Sequence, residues 1–277
     1  MTLGLDLGGT KLLAAKLDGT GRLLETRRWP TGRHTSPAVF LATLAEVRAW
    51  SGPVRAVGLG FPGLVDTQRG IARSSVMLDA WTDVPLAAQA AEIFGAPVRL
   101  ENDVNAAAVA ELRARNDVGE IVADLVFVAL GTGIGGALVL GGRLYPGTTG
   151  LAGEVGHVSV EPWAGPPCRC GRRGCLGALA AGEVFARGDG AEVQRAVEAL
   201  GAGLASVLNV LNPGLLVLGG GAIERADGLL THVAQAVRAQ AMPEIAAACR
   251  IERARAGAAA GAWGAGLLAQ GSVEPCL

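Results

Sequence analysis

A strand, a glycine turn and a second strand occur twice in this chain, and that repetition constrains its fold more than any other feature. The first copy is an apolar strand from Leu3 to Leu7, the turn Gly8-Gly9-Thr10 and a strand from Leu12 to Leu17. The turn Asp18-Gly-Thr-Gly21 and a third strand from Arg22 follow. The second copy runs from a strand over Leu125 to Leu130 through Gly131-Thr-Gly-Ile-Gly to a strand over Gly136 to Leu140. It continues through Gly141-Gly142 into Arg143-Leu-Tyr. The copies align with Leu7-Gly8 on Leu130-Gly131, which predicts an internally duplicated protein of two domains.

Between the copies, the pattern predicts a helix over 38–50, a strand over 54–60 and the turn Phe61-Pro62-Gly63. A strand over 97–100 and a helix opening at Asp103 come next. After the second copy come a helix ending near Leu211, a strand over 215–218 and the turn Gly219-Gly220-Gly221. A helix over 227–240, a strand over 250–253 and an Ala-rich helix over 258–269 complete the reading. Helices alternate with buried apolar strands, so the class is α/β. The expected domains are residues 1–104 with 258–277, and residues 105–257.

Composition excludes several partners. Half the residues are hydrophobic, which argues against disorder, and the net charge of −1 gives no footprint for nucleic acid or an anionic membrane. Residues 125–142 lack charge over the length of a membrane span, but six glycines divide them into a buried hairpin instead. No basic-then-apolar leader opens the chain, and three of its five cysteines share one loop. That usage fits a reducing, cytoplasmic setting rather than a disulfide framework.

Three segments have the residue types for chemistry. In Asp6-Leu-Gly8-Gly9-Thr10-Lys11, glycines following a buried strand let backbone N–H groups approach a phosphate. There Asp6 is a candidate Mg²⁺ contact, and a plain hairpin turn is the alternative. Gly131-Thr132-Gly133 repeats the motif; a strand follows it rather than a helix, so it is not a dinucleotide fingerprint. Glu101-Asn102-Asp103 stands between a strand and a helix, where Asn102 or Asp103 is either an N-cap or a general base. His157, Cys168, Cys170 and Cys175 form the ligand set of a closed Cys₃His zinc site, and Glu154 lies three residues before the histidine.

These motifs together resemble the ROK family (repressors, open reading frames and kinases), which includes bacterial glucokinases. The similarity lies in Asp6-Leu-Gly-Gly-Thr-Lys11, Gly60-Phe-Pro-Gly63, Glu101-Asn-Asp-Val-Asn105, Leu130-Gly-Thr-Gly-Ile-Gly-Gly136, Glu154-Val-Gly-His157, the Cys168–Cys175 cluster and Leu218-Gly-Gly-Gly221. The resemblance implies an actin-like, RNase H-like duplicated fold with an interdomain cleft, and ATP-dependent phosphoryl transfer to a hexose. It implies Asp103 as catalytic base, and Gly63, Asn102, Glu154 and His157 as sugar contacts. Asp6, Gly8, Gly9, Thr10, Lys11, Thr132 and Gly133 would surround Mg²⁺ and the ATP phosphates, with Gly220 and Gly221 near the adenosine. Zinc would be structural, and the protein a homodimer or homotetramer. No helix-turn-helix precedes Leu3, which disfavours the repressor branch.

The chain departs from the family pattern at two places. Gly177 stands after Leu176, where the family carries a sugar-contacting Glu, and Met77-Leu78 replaces an Asn-Leu pair before Trp81. The stretch from Ala178 to Ala191 is also shorter than the family's. A buried hydroxyl without its partner costs roughly 1–3 kcal/mol, enough to change which sugar is preferred. Two alternatives follow: a non-catalytic sugar or nucleotide sensor, and a kinase for another sugar such as an amino sugar or fructose.

Overall fold

In the computed structural model, residues 1–187 and 190–271 are described, and they divide into two units. The first unit comprises Met1–Ile121, Arg143–Ala152 and the chain from Arg255 onward. It opens with β1 (Thr2–Leu7), β2 (Lys11–Leu17), β3 (Leu23–Pro30) and β4 (Val57–Phe61). A small antiparallel sheet follows, made of β5 (Leu64–Asp66), β6 (Ile71–Ser74) and β7 (Thr82–Val84). β8 (Val98–Asn102) then completes a main sheet of order β3-β2-β1-β4-β8. The β3-β2-β1 part is antiparallel, and β1, β4 and β8 run parallel.

Alternation along β1 sorts its two faces. Leu3, Leu5 and Leu7 join a core with Phe40 and Leu44 of α1 (Pro37–Ser51) and Leu86 of α2 (Leu86–Phe94). α1 starts where the Ser36 hydroxyl accepts from the Val39 N–H, with Pro37 in the first turn. α3 (Asp103–Asn116) leaves directly from the end of β8, and Ala106, Ala108 and Ala110 are among its buried residues.

The second unit comprises Val122–Gly142 and Gly153–Ala254. Its first strands, β9 (Leu125–Leu130) and β10 (Ile134–Leu140), are antiparallel, with Ile134 opposite Leu130. The uncharged stretch 125–142 is therefore a hairpin, and no described helix is long and apolar enough to cross a membrane. β11 (Arg143–Leu144) follows in the segment counted with the first unit. α4 (Leu176–Leu179), α5 (Gly182–Arg187) and α6 (Gly190–Leu211) lead to β12 (Leu215–Gly219). α7 (Gly221–Arg225), α8 (Leu229–Gln240) and α9 (Pro243–Ala248) precede β13 (Arg250–Arg253). β9, β12 and β13 are parallel, so an antiparallel hairpin feeding a parallel run recurs in both units, as the duplication predicts.

The chain ends its described course as α10 (Ala260–Ala269), back in the first unit. Its backbone touches the sheet. A side-chain carbon at Gly4 would fall 1.8 Å from the Ala262 carbonyl oxygen, and one at Gly58 1.8 Å from that of Ala265. Gly264 is likewise pressed on the Ala106 carbonyl of α3, at 1.7 Å. The small residues of this helix are there because nothing larger fits.

The sequence pattern did not mark β5–β7, α2 or α9. β5–β7 are short and largely exposed, and α2 begins after Pro85 without a side-chain cap. The expected domain limit at 104/105 compares with a first unit that runs to Ile121 and resumes at Arg255. Residues 188 and 189, within the shortened stretch, and Cys276 lie outside the described residues.

Candidate active site

In the first unit, three adjacent parallel strands deliver the candidate residues at their carboxyl ends. Asp6 of β1 pairs in register with Gly60 of β4, and Gly60 pairs with Glu101 of β8. Phe61 pairs with Asn102, the last residue before the Asp103 helix. Ligands of open α/β sheets bind outside these strand ends. A side-chain carbon at Gly60 would lie 3.4 Å from the Asp103 Cα and 3.7 Å from the Asp6 Oδ1. A residue without a side chain therefore lies between the Asp6 carboxylate and the Asp103 backbone.

Asp6 is partly exposed, and α10 closes its other side: a side-chain carbon at Gly261 would fall 2.6 Å from the Asp6 carboxyl. Burial raises the Asp6 acid to about 6, opposed by the Lys11 ammonium. A divalent cation there would restore the carboxylate, so the donor fits Mg²⁺.

The Gly8–Lys11 turn is a braced hairpin. The Gly8 N–H donates to the Lys11 carbonyl at 2.9 Å, so that amide closes the turn instead of facing a phosphate. The Thr31 hydroxyl donates to the Gly8 carbonyl at 2.7 Å, and the Thr31 N–H donates to the Thr10 carbonyl. Thr10 and Lys11 are exposed. Met77 packs on this turn, with its Cε 3.3 Å from the carbon a side chain at Gly9 would have. The Ser75 hydroxyl holds it there, accepting from the N–H groups of Met77 and Leu78 while donating to the Pro62 carbonyl.

Asn102 is the N-cap. Its Oδ1 accepts from the N–H groups of Val104 at 2.9 Å and Asn105 at 3.1 Å, and its Nδ2 donates to the Gly63 carbonyl at 3.2 Å. One side chain thus fixes the start of α3 and the Phe61–Gly63 turn together. Asp103 occupies the first helical position, where the helix dipole favours a carboxylate, and its Oδ1 accepts from the Val104 N–H.

In the second unit, Gly220 packs against Leu130, the end of the strand that leads into the Gly131–Gly133 turn. The Gly131 N–H donates to the Gly133 carbonyl, and Thr132 and Gly133 are exposed. Gly220 has φ +88°, and a side-chain carbon there would meet the Leu130 carbonyl at 2.6 Å, so only glycine fits. The Arg225 guanidinium covers Gly221, with Nη1 2.6 Å from the carbon a side chain there would have.

Glu154 and His157 sit on a 3₁₀ turn over Val155–His157 that packs against β10 through Gly136 and Gly156. Gly177 underlies the same turn: a side-chain carbon there would lie 3.2 Å from the Gly156 carbonyl. The His157 Nδ1 is 3.6 Å from the Cys168 sulfur, and its Nε2 is 4.0 Å from the Glu154 carboxylate. Desolvation raises the Glu154 acid although 44% of the side chain is open to solvent, with His157 opposing.

The ligand atoms of His157, Cys168, Cys170 and Cys175 all lie within 4.8 Å of one another. The Cys170 and Cys175 sulfurs are 3.6 Å apart. Tetrahedral zinc with Zn–S of about 2.3 Å and Zn–N of about 2.0 Å separates two sulfurs by roughly 3.8 Å, and sulfur from nitrogen by roughly 3.5 Å. The donor set and spacing fit that ion. The Arg172 backbone N–H draws the Cys170 thiol down to about 7, while burial pushes Cys175 up to about 12. A dication among them would favour thiolate at both.

The ROK family model matches residues 2–193 and 188–272. The chain is 30% identical over 312 residues to a glucokinase of Halalkalibacterium halodurans, covering 96% of this chain and 94% of that protein. It is 32% identical over 305 residues to an N-acetyl-D-glucosamine kinase of Salmonella paratyphi C, covering 97% and 99%. A ROK family glucokinase from Streptomyces griseus, solved with glucose and AMPPNP, superposes with a TM-score of 0.83 at 28% identity, covering 98% and 99%.

Proposed function

This chain belongs to the ROK family and has its actin-like fold, and on that footing we propose that it is a sugar kinase acting on a hexose, with Asp103 as general base. The observation that carries this reading is that Asp6 at the end of β1 and Asp103 just past the end of β8 flank Gly60 of the intervening β4. Asp103 takes the proton of the attacking sugar hydroxyl. Asn102 and Gly63 hold the approach to it, Asn102 keeping one Nδ2 hydrogen beyond the bond to Gly63. Asp6 is the residue that would hold Mg²⁺, which when bound offsets charge on the phosphate oxygens. In the first unit the amides of Gly9 and Thr10 are the groups for the phosphates; in the second unit Thr132 and Gly133 have the phosphate role and Gly220 the nucleoside role.

Zinc is proposed for the Cys₃His cluster, where it would lock His157 and through it the orientation of Glu154. The Met77 side chain over Gly9 and the bare Gly177 favour a second reading of substrate: a hexose other than glucose, such as an N-acetylated amino sugar.

An ADP-release assay over glucose, fructose, N-acetylglucosamine and N-acetylmannosamine tests the proposal. Turnover with at least one sugar, lost in Asp103→Asn, is the expected result. No sugar exceeding the Asp103→Asn background would leave a non-catalytic binder.

A further inference from the structure

Glu101 is the most buried carboxyl next to the proposed base, and the mechanism above gives it nothing to do. It is 3% exposed near the end of β8, and Asn105, in the first turn of α3, is 2% exposed. The Glu101 Oε1 accepts from the Asn102 N–H at 3.0 Å and from the Asn105 Nδ2 at 3.0 Å. The N-cap and a residue of the first helical turn, on either side of Asp103, therefore hang on one carboxyl oxygen.

The Asn105 Oδ1 is buried and has no hydrogen-bond partner. An orphaned buried carbonyl costs about 1–3 kcal/mol, so native proteins rarely leave one. A carboxylic acid and a carboxamide joined by one N–H···O bond can close a ring through a second bond, in which the acid O–H donates to the amide oxygen. An ionised Glu101 has no hydrogen to give, whereas a protonated one carries the O–H donor that the orphan lacks. Burial also pushes the Glu101 acid upward against the two hydrogen bonds and the pull of Arg99, the charged group acting on it from its own strand.

We propose that Glu101 is a positioning residue for Asp103, held as a neutral carboxylic acid in a two-bond ring with the Asn105 amide. The ring clamps both flanks of Asp103 without placing a second negative charge beneath it. This rests on the reading of Asp103 as the base.

Glu101→Gln keeps the ring, because its amide N–H replaces the acid O–H; Glu101→Leu removes it. The expected result is a Glu101→Leu kcat at least tenfold lower, with KM for ATP and sugar within threefold, and kcat restored to within threefold by Gln. The acid limb of the kcat/KM pH profile should stay in place in Glu101→Gln, and a displacement to lower pH would mean that a charge had been removed. Infrared difference spectra of glutamate-labelled protein at pH 7, wild type minus Glu101→Gln, should show a protonated carboxyl band. Absence of that band, or a Gln variant as impaired as Leu, overturns the proposal. Full turnover in Asp103→Asn would instead remove the base assignment, with the infrared band still deciding the ring.

Discussion

Asp6 and Gly60 lie side by side at the carboxyl ends of β1 and β4, and a side-chain carbon at residue 60 would come 3.7 Å from the Asp6 carboxylate. That is ordinary van der Waals contact, so Gly60→Ala should fold with a Tm within about 5 °C of wild type. Its methyl group, however, stands in the space between Asp6 and Asp103. At least a tenfold fall in kcat/KM for ATP is expected, measured by ADP release beside a thermal melt. Unchanged kinetics would mean that substrate does not use this space.

Asp103→Asn should lower kcat by about 10²–10⁴ while leaving KM within a fewfold, the range for loss of a general base. Stability should hardly change, because the cap of α3 is Asn102. Asn102→Ala should do the reverse in part, costing about 1 kcal/mol in urea denaturation through the lost cap. A destabilised Asp103→Asn with normal kcat would assign Asp103 to structure alone.

The protonation of Asp6 gives a signed pH effect. Its acid is raised to about 6 from 3.8, so the folded protein favours the neutral form. The associated stability is complete below pH 4 and is lost as pH rises through 6. Asp6→Asn should therefore match wild type near pH 4 and exceed it at pH 7.5. A rise from 3.8 to about 6 is worth roughly 3 kcal/mol at most, and partial exposure of Asp6 discounts this to about 1–2 kcal/mol. Urea titrations without Mg²⁺ or nucleotide check it, and a difference independent of pH contradicts it.

Purified protein should contain one zinc per chain, and Cys170→Ser or prolonged chelation should remove it. Loss should lower the Tm and raise the KM for sugar more than that for ATP, because His157 and Glu154 share one turn. Equal metal in wild type and variant, by elemental analysis, would remove the site.

Local chemistry made much of this site legible in the sequence. Glycine turns between aliphatic runs, the Cys-x-Cys-x₄-Cys spacing and Asn102-Asp103 before a helix are signals complete within a few residues. The sequence leaves Asn102 and Asp103 as alternatives for one cap; the structure gives the cap to Asn102 and the first helical position to Asp103. The importance of Gly60 was invisible because it depends on which strands pair in parallel. Glu101 passed as part of a motif, since only burial exposes the orphaned Asn105 oxygen. The Ala-rich segment near residue 260 read correctly as a helix, but nothing local shows that its backbone lies on Gly4 and Gly58.

That last contact has a bearing on how the protein is made. β1 leaves the ribosome about 250 residues, and β4 about 200 residues, before the helix that seals Gly4 and Gly58 is synthesised. At roughly 5–20 residues per second, one face of the founding sheet waits on the order of 10–40 s for its cover. The second unit, drawn from a nearly continuous stretch of chain, has all its residues before that moment. The half that begins first is completed last.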